Sequence, residues 1–244
     1  MTIINKDKCV GCKTCVKYCT VDAIHYIPEE KKCFVDPAVC AECYVCVRKK
    51  VCPKDAMETQ ELTNFYKQFQ HVMSDPMENY GVTGVTGRGT EEVKTNDVTG
   101  RVKKGYAGFS IDMGRPGIGV YLRDAEKVAM AMAAAGLVFE SPEKTPLSAL
   151  MTDIKTGKIN DDCLDYHLLS VIIEGNCTLD KMTDVFKALQ KVEKEIDTVF
   201  SVGLILRVDE NGEAPALKEL DKLGIPQPHR GKVNVGLGRP LCAL

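Results

Sequence analysis

The chain has 244 residues, 32 Lys+Arg against 34 Asp+Glu for a formal net charge of −2, and 44% hydrophobic residues. So balanced a charge offers no broad basic surface to nucleic acid or an anionic membrane, and no apolar run reaches transmembrane length. The length exceeds what one small module needs and suggests two folded units.

The N-terminal stretch is dominated by cysteine: nine of the twelve fall within the first 52 residues. Eight of them form two runs. Cys9, Cys12, Cys15 and Cys19 are spaced C-x2-C-x2-C-x3-C, and Cys40, Cys43, Cys46 and Cys52 are spaced C-x2-C-x2-C-x5-C-P. Three thiolates at two-residue gaps can wrap one face of a cubane, and a distant fourth closes the cage. Two such runs imply two 4Fe-4S clusters and therefore electron transfer. Structural zinc uses paired knuckles rather than triplets. A disulfide framework needs an oxidising compartment, whereas the opening Met1–Lys6 turns charged too soon for a signal peptide, so a cytoplasmic protein with reduced thiols is expected.

On these motifs, residues 1–58 resemble a bacterial two-4Fe-4S ferredoxin. The duplication is internal to the sequence: Asp7-Lys8-Cys9 leads through Cys19 to Val21-Asp22-Ala23-Ile24, and Asp36-Pro37-Ala38-Val39-Cys40 leads through Cys52 to Lys54-Asp55-Ala56-Met57. The resemblance implies crossed ligation, with one cluster held by Cys9, Cys12, Cys15 and Cys52 and the other by Cys40, Cys43, Cys46 and Cys19. The chain departs from the family at three places. Thr20 stands where the family has a proline, which removes a turn former but no ligand. Val47-Arg48-Lys49-Lys50-Val51 puts five residues where the basic pattern has three. Cys33 is a ninth cysteine outside both runs, read as a small packing residue. Residues 1–58 carry ten Lys+Arg against eight Asp+Glu, although such ferredoxins are usually acidic. Arg48, Lys49 and Lys50 could raise a cluster potential, dock an acidic donor, or form a solvated face. Ile24–Ile27 and Cys33–Val35 are expected to form a hairpin around Pro28-Glu29-Glu30.

Leu62, Phe65, Tyr66, Phe69, Val72 and Met73 repeat with helical spacing up to Asp75-Pro76, which should stop the helix. The stripe is read as packing on the ferredoxin module or on the next domain. A polar, glycine-rich stretch follows over 78–106, with Val-Thr-Gly three times; it reads as a linker, an anion-cradling lid or an interface arm, the last being preferred. Beyond it the chain reads as α+β. Phe109, Ile111 and Met113 are expected to pair in a hairpin with Ile118, Val120 and Leu122 across Gly114-Arg115-Pro116-Gly117. Asp124 is expected to cap a helix through Val128, Met132 and Ala135 that ends at Gly136. Strands are expected at 137–139 and 168–173. A helix capped by Thr178 or Asp180 should follow, with Met182, Val185, Phe186, Leu189, Val192 and Ile196 on one face. A strand at 199–208, a short helix at 215–223 and a strand near 232–237 complete the series.

The expected fold class is α+β: an N-terminal two-4Fe-4S ferredoxin domain (1–60), a helix plus Gly/Thr-rich linker or arm (61–105), and an α+β sandwich (106–244) with helices on one face of a mixed sheet, for which a ferredoxin-like topology is one solution. His167 and His229 lack a catalytic setting, Arg115 and Arg239 sit in matching Gly-Arg-Pro turns, and no phosphate loop, dinucleotide fingerprint or nucleophile elbow occurs. The functional expectation is a non-catalytic electron-transfer subunit of an anaerobic oxidoreductase, with a redox partner protein and a hetero-oligomeric assembly. Two alternatives stay open: a self-contained reductase whose C-terminal half binds flavin or substrate, and a redox-linked sensor that binds an effector there.

Overall fold

The computed structural model describes residues 1–82, 84, 101–115 and 117–225. In the first sixty residues, β1 (Thr2–Ile4) runs antiparallel to β4 (Met57–Thr59), with Thr2 opposite Thr59, so the two ends of the cysteine-rich segment meet. Between them, β2 (Ile24–Ile27) and β3 (Lys32–Val35) form the expected hairpin. The extra residues of the second run are taken up by a short helix, α1 (Val45–Arg48), where the first run has a single 3-10 turn, Cys15–Tyr18. Cys9, Cys15, Ile24, Cys33, Val51 and Ala56 form a small buried core. Short strands and thiols make up this interior because so few residues cannot bury much apolar surface by themselves.

Helix α2 (Phe65–Ser74) begins at Asn64, whose side chain accepts the Lys67 N–H at 2.7 Å, and gives way at Asp75 to extended backbone. An Asn N-cap and a Pro two residues past the end mark both its limits. Its apolar stripe points away from the small cysteine core: Phe69 and Met73 are buried in the large core of the C-terminal half.

That half is organised by a four-stranded sheet in the order β12-β5-β11-β7, with every pairing antiparallel. The strands are β5 (Tyr106–Met113), β7 (Val138–Phe139), β11 (Val171–Thr178) and β12 (Phe200–Leu206). Helix α3 (Leu122–Ala134) joins β5 to β7, and α4 (Met182–Val192) joins β11 to β12, giving a β-α-β-β-α-β sequence of principal elements. Ala107, Phe109, Ile111 and Met113 share one pleat face and join Val128, Met132, Val185, Phe186 and Leu189 in a single core. The Phe109 and Phe186 rings meet at 5.2 Å between centroids. Burying each large side chain in this layer contributes about 1.5–3 kcal/mol. Smaller elements complete the unit: β6 (Val120–Tyr121), β8 (Met151–Asp153), β9 (Lys158–Ile159), β10 (His167–Leu168) and α5 (Lys218–Lys222). No helix among the described residues is long and apolar enough to cross a membrane.

Several expectations need correcting. The hairpin across Gly114–Gly117 does not form. Gly114 takes φ 84° and donates to Val199, while β5 spends both edges on long pairings with β11 and β12. The following segment instead makes β6, which pairs with β10. Leu122 therefore opens α3, and Asp124 falls inside its first turn, held by Lys127 at 2.8 Å, rather than at the cap. The run at 168–173 is split between β10 and β11. The sheet is antiparallel, not mixed, because the two strands joined by each helix are not neighbours: β11 lies between β5 and β7, and β5 lies between β11 and β12, each running the opposite way. Gly136 ends α3 at φ 101°, as a left-handed C-terminal residue does. Residues 85–100, Pro116, His229, Arg239, Cys242 and the strand near 232–237 lie outside the described residues.

Candidate iron–sulfur site

The two cysteine runs repeat in backbone as well as in sequence. Gly11 (φ 68°) matches Glu42 (φ 53°), Lys13 (φ 61°) matches Tyr44 (φ 54°), and Asp22 (φ 55°) matches Asp55 (φ 46°). Left-handed conformations cost non-glycine residues free energy, so their recurrence at matched positions marks a shape that the surroundings impose. Backbone N–H groups converge on the sulfurs in matching ways too. Ala23 N–H meets Cys19 Sγ at 3.1 Å and Ala56 N–H meets Cys52 Sγ at 3.3 Å. Gly11 and Cys33 N–H groups both reach Cys9 Sγ at 3.4 Å. Such donors favour thiolate over thiol and suit sulfur that carries negative charge to a metal.

The fourth cysteine of each run lies near the other run. Burial pushes the Cys46 thiol up to about 12, and the neighbouring Cys43 and Cys19 add to the rise. Burial likewise raises Cys43, again with Cys19 close by. Cys40 reaches about 12 through burial and then through the Glu42 carboxylate. On the other side, burial lifts Cys15 to about 12, with Cys33 and Cys52 among its neighbours. Cys12 differs: it is exposed, bonds Thr14 Oγ1 at 3.4 Å, and is lowered by that contact. Thiols of both runs lie close enough to raise the ionisation cost of Cys46 and Cys15, a cost that a cationic cluster would relieve, so the donor chemistry fits the group. Among the described residues no three Cys, His, Asp or Glu side chains converge on a single-ion site.

Cys33 is buried and packs beside Cys9 and Cys15. The cationic insertion divides. Arg48 pairs with buried Asp75 and donates to the Cys43 carbonyl at 3.2 Å, while Lys49 and Lys50 are exposed. Thr20 is exposed and faces Gly117.

Side chains to which the sequence analysis gave no such role grip the second loop. His167 Nδ1 donates to the Val39 carbonyl at 2.6 Å. Gln70 Nε2 reaches both the Cys40 carbonyl, at 2.9 Å, and the His167 carbonyl, at 2.6 Å. His71 Nδ1 meets the Glu42 carbonyl at 2.7 Å. Glu42 is fully buried and accepts from the Thr2 N–H at 2.7 Å and hydroxyl at 3.0 Å. The His167 ring stacks on Tyr121, and burial lowers its pKa, which suits a neutral donor. Only the polar residues on the inner side of α2, Gln70 and Ser74, could have signalled this contact. Arg115 lies 3.7 Å from Asp112 and Arg101 lies 3.6 Å from Glu174, so both are drawn to carboxylates of the sheet.

This arrangement defines the N-terminal segment as a ferredoxin-type iron–sulfur electron-transfer domain. A family model for the 4Fe-4S binding domain matches residues 2–25. Residues of the same segment are similar to the indolepyruvate oxidoreductase subunit IorA of Pyrococcus abyssi, 47% identical over 55 residues, which are 22% of this chain and 8% of that protein. The IorA subunit of Thermococcus kodakarensis is 47% identical over 53 residues, again 22% of this chain and 8% of that protein. A ferredoxin of Alicyclobacillus acidocaldarius is 40% identical over 55 residues, 22% of this chain and 65% of that protein. The matched stretch thus spans under a tenth of the IorA subunits. No solved structure matches the chain.

Proposed function

We propose that this chain relays electrons through two 4Fe-4S clusters, as the ferredoxin-type subunit of an oxidoreductase complex. One cluster would be held by Cys9, Cys12, Cys15 and Cys52, and the other by Cys40, Cys43, Cys46 and Cys19. The observation that carries this reading is the placement of Cys19 beside Cys43 and Cys46, and of Cys52 beside Cys15. When bound, the clusters supply reversible one-electron chemistry. The protein holds the thiolates, directs N–H groups at the sulfurs and limits water around them.

The likeness of the N-terminal segment to IorA subunits supports a place among partner subunits. We read residues 1–60 as the cluster domain, 61–105 as helix and arm, and 106–244 as a docking domain; the β12-β5-β11-β7 order is that of a ferredoxin-like sandwich. Such reduced thiols belong in a cytoplasmic, anaerobic setting.

Anaerobic reconstitution tests the reading. About eight iron atoms per chain, with low-temperature EPR of two coupled centres after reduction, is the expected result. About four iron atoms, or a yellow flavin spectrum without iron, would overturn it.

A further inference from the structure

The two cysteine loops differ in what a second protein can reach. The Val39–Cys43 loop is covered by His167, Gln70 and His71. The Cys9–Cys15 loop carries Cys12, the one exposed thiol of the eight. Beside it Val10 is 59% exposed and Tyr18 is 53% exposed. From Lys8 to Thr20 the sequence has three lysines and no Asp or Glu. Lys8 is neutralised by Glu58 at 2.7 Å. Lys13 rests 4.0 Å over the Tyr26 ring, which leaves its charge uncompensated, and Lys17 and Lys31 are exposed. Among the described residues no carboxylate pairs with any of these three. An apolar and aromatic centre over an exposed thiol, on a segment whose only charges are lysines, is the make-up of a transient electron-transfer interface, with Glu29 and Glu30 the acidic residues next to Lys31. Lys49 and Lys50, near the second run, have no such centre, since Val51 beside them is buried.

We propose that the surface of Val10, Cys12 and Tyr18, rimmed by Lys13, Lys17 and Lys31, docks an acidic one-electron carrier protein. The inference rests on the iron–sulfur reading above and adds to it the point of exchange and the charge of the partner. In the exchange one electron leaves the reduced carrier, which is oxidised by one, and one arrives at the site behind Cys12, which is reduced by one. No proton moves and no bond changes. A positive rim speeds encounter with an acidic protein, and salt removes the advantage.

The test uses the whole, cluster-loaded protein in anaerobic stopped flow, with reduced plant-type ferredoxin as the acidic probe and reduced methyl viologen as a small cationic one. Iron content and EPR of each variant are measured first. The K13E/K17E pair should slow reduction by the ferredoxin about tenfold at low salt, with the gap closing at high salt. Reduction by methyl viologen should not slow. The K49E/K50E pair should leave the ferredoxin rate within about twofold. An unchanged ferredoxin rate in loaded K13E/K17E protein, or an equal fall in K49E/K50E, overturns the docking face and leaves the electron-transfer reading standing. A wild-type protein that takes up no iron overturns both.

Discussion

The Cys9–Cys15 loop and the Cys40–Cys46 loop have the same backbone and opposite surroundings. At Gly11 the first loop uses a glycine, where a Cβ would lie 2.2 Å from the Lys31 carbonyl. The second loop has Glu42 at the matching position and turns its carboxylate inward to Thr2. Carbonyls of the second loop are bonded by side chains from α2 and β10, whereas the first receives Lys32 at the Cys9 carbonyl and otherwise faces outward. The two loops thus share a backbone and differ in their exteriors: one faces outward and the other is built into the rest of the chain.

The largest expected effect comes from crossing the two sets. Cys19→Ala should abolish the centre of the second loop and Cys52→Ala that of the first, each leaving about four iron atoms. EPR would separate the two, since the surviving centre in Cys52→Ala protein should be the one that a further Cys43→Ala change removes. If Cys19→Ala and Cys12→Ala instead remove the same centre, ligation is not crossed.

Next in size is the grip on the second loop. Gln70→Leu removes the side-chain donor from one buried and one part-buried carbonyl and should cost about 2 kcal/mol, read by chemical denaturation together with faster iron release. Lys32→Met, the corresponding change at the first loop, should cost under about 1 kcal/mol. Equal losses would erase the distinction drawn between the loops.

Gly11→Ala should destabilise the first loop by more than about 1 kcal/mol, since φ 68° and the Lys31 carbonyl both oppose a side chain. Glu42→Gly tests the other loop. It relieves a left-handed residue but gives up the Thr2 bonds, so a net stabilisation would show that these bonds count for little.

The smallest effect is in thiol labelling during slow cluster loss in air. Mass spectrometry after iodoacetamide treatment at pH 8 should find Cys12 modified first, because it is exposed and its pKa is lowered. Burial pushes Cys163 and Cys177 to about 11, so they remain protonated and unlabelled while the fold persists. Earlier labelling of Cys43 or Cys46 would place the weaker loop on the wrong side.

Much of this was legible without coordinates. Cysteine spacing, the repeated Asp-Ala after each run and the helical stripe of α2 are local patterns, and local patterns survive in one dimension. The hairpin expected at Gly114–Gly117 failed for the opposite reason. Alternation shows that β5 is a strand but not which strands lie beside it, and its neighbours, at 171–178 and 200–206, come from far along the chain. The Asp124 cap failed with it, since the start of α3 depends on the pairing of β6 with distant β10.

Sequence alone determined that iron–sulfur chemistry belongs to the first sixty residues, because ligand type and spacing are set by the metal's own bonding. Only the tertiary structure decided which cysteine loop is exposed, where Arg48 spends its charge and which side chains hold the second loop. Those depend on contacts between His167 and Val39 or Arg48 and Asp75. Burial and charge pairing are properties of neighbours in space, and no spacing rule encodes them.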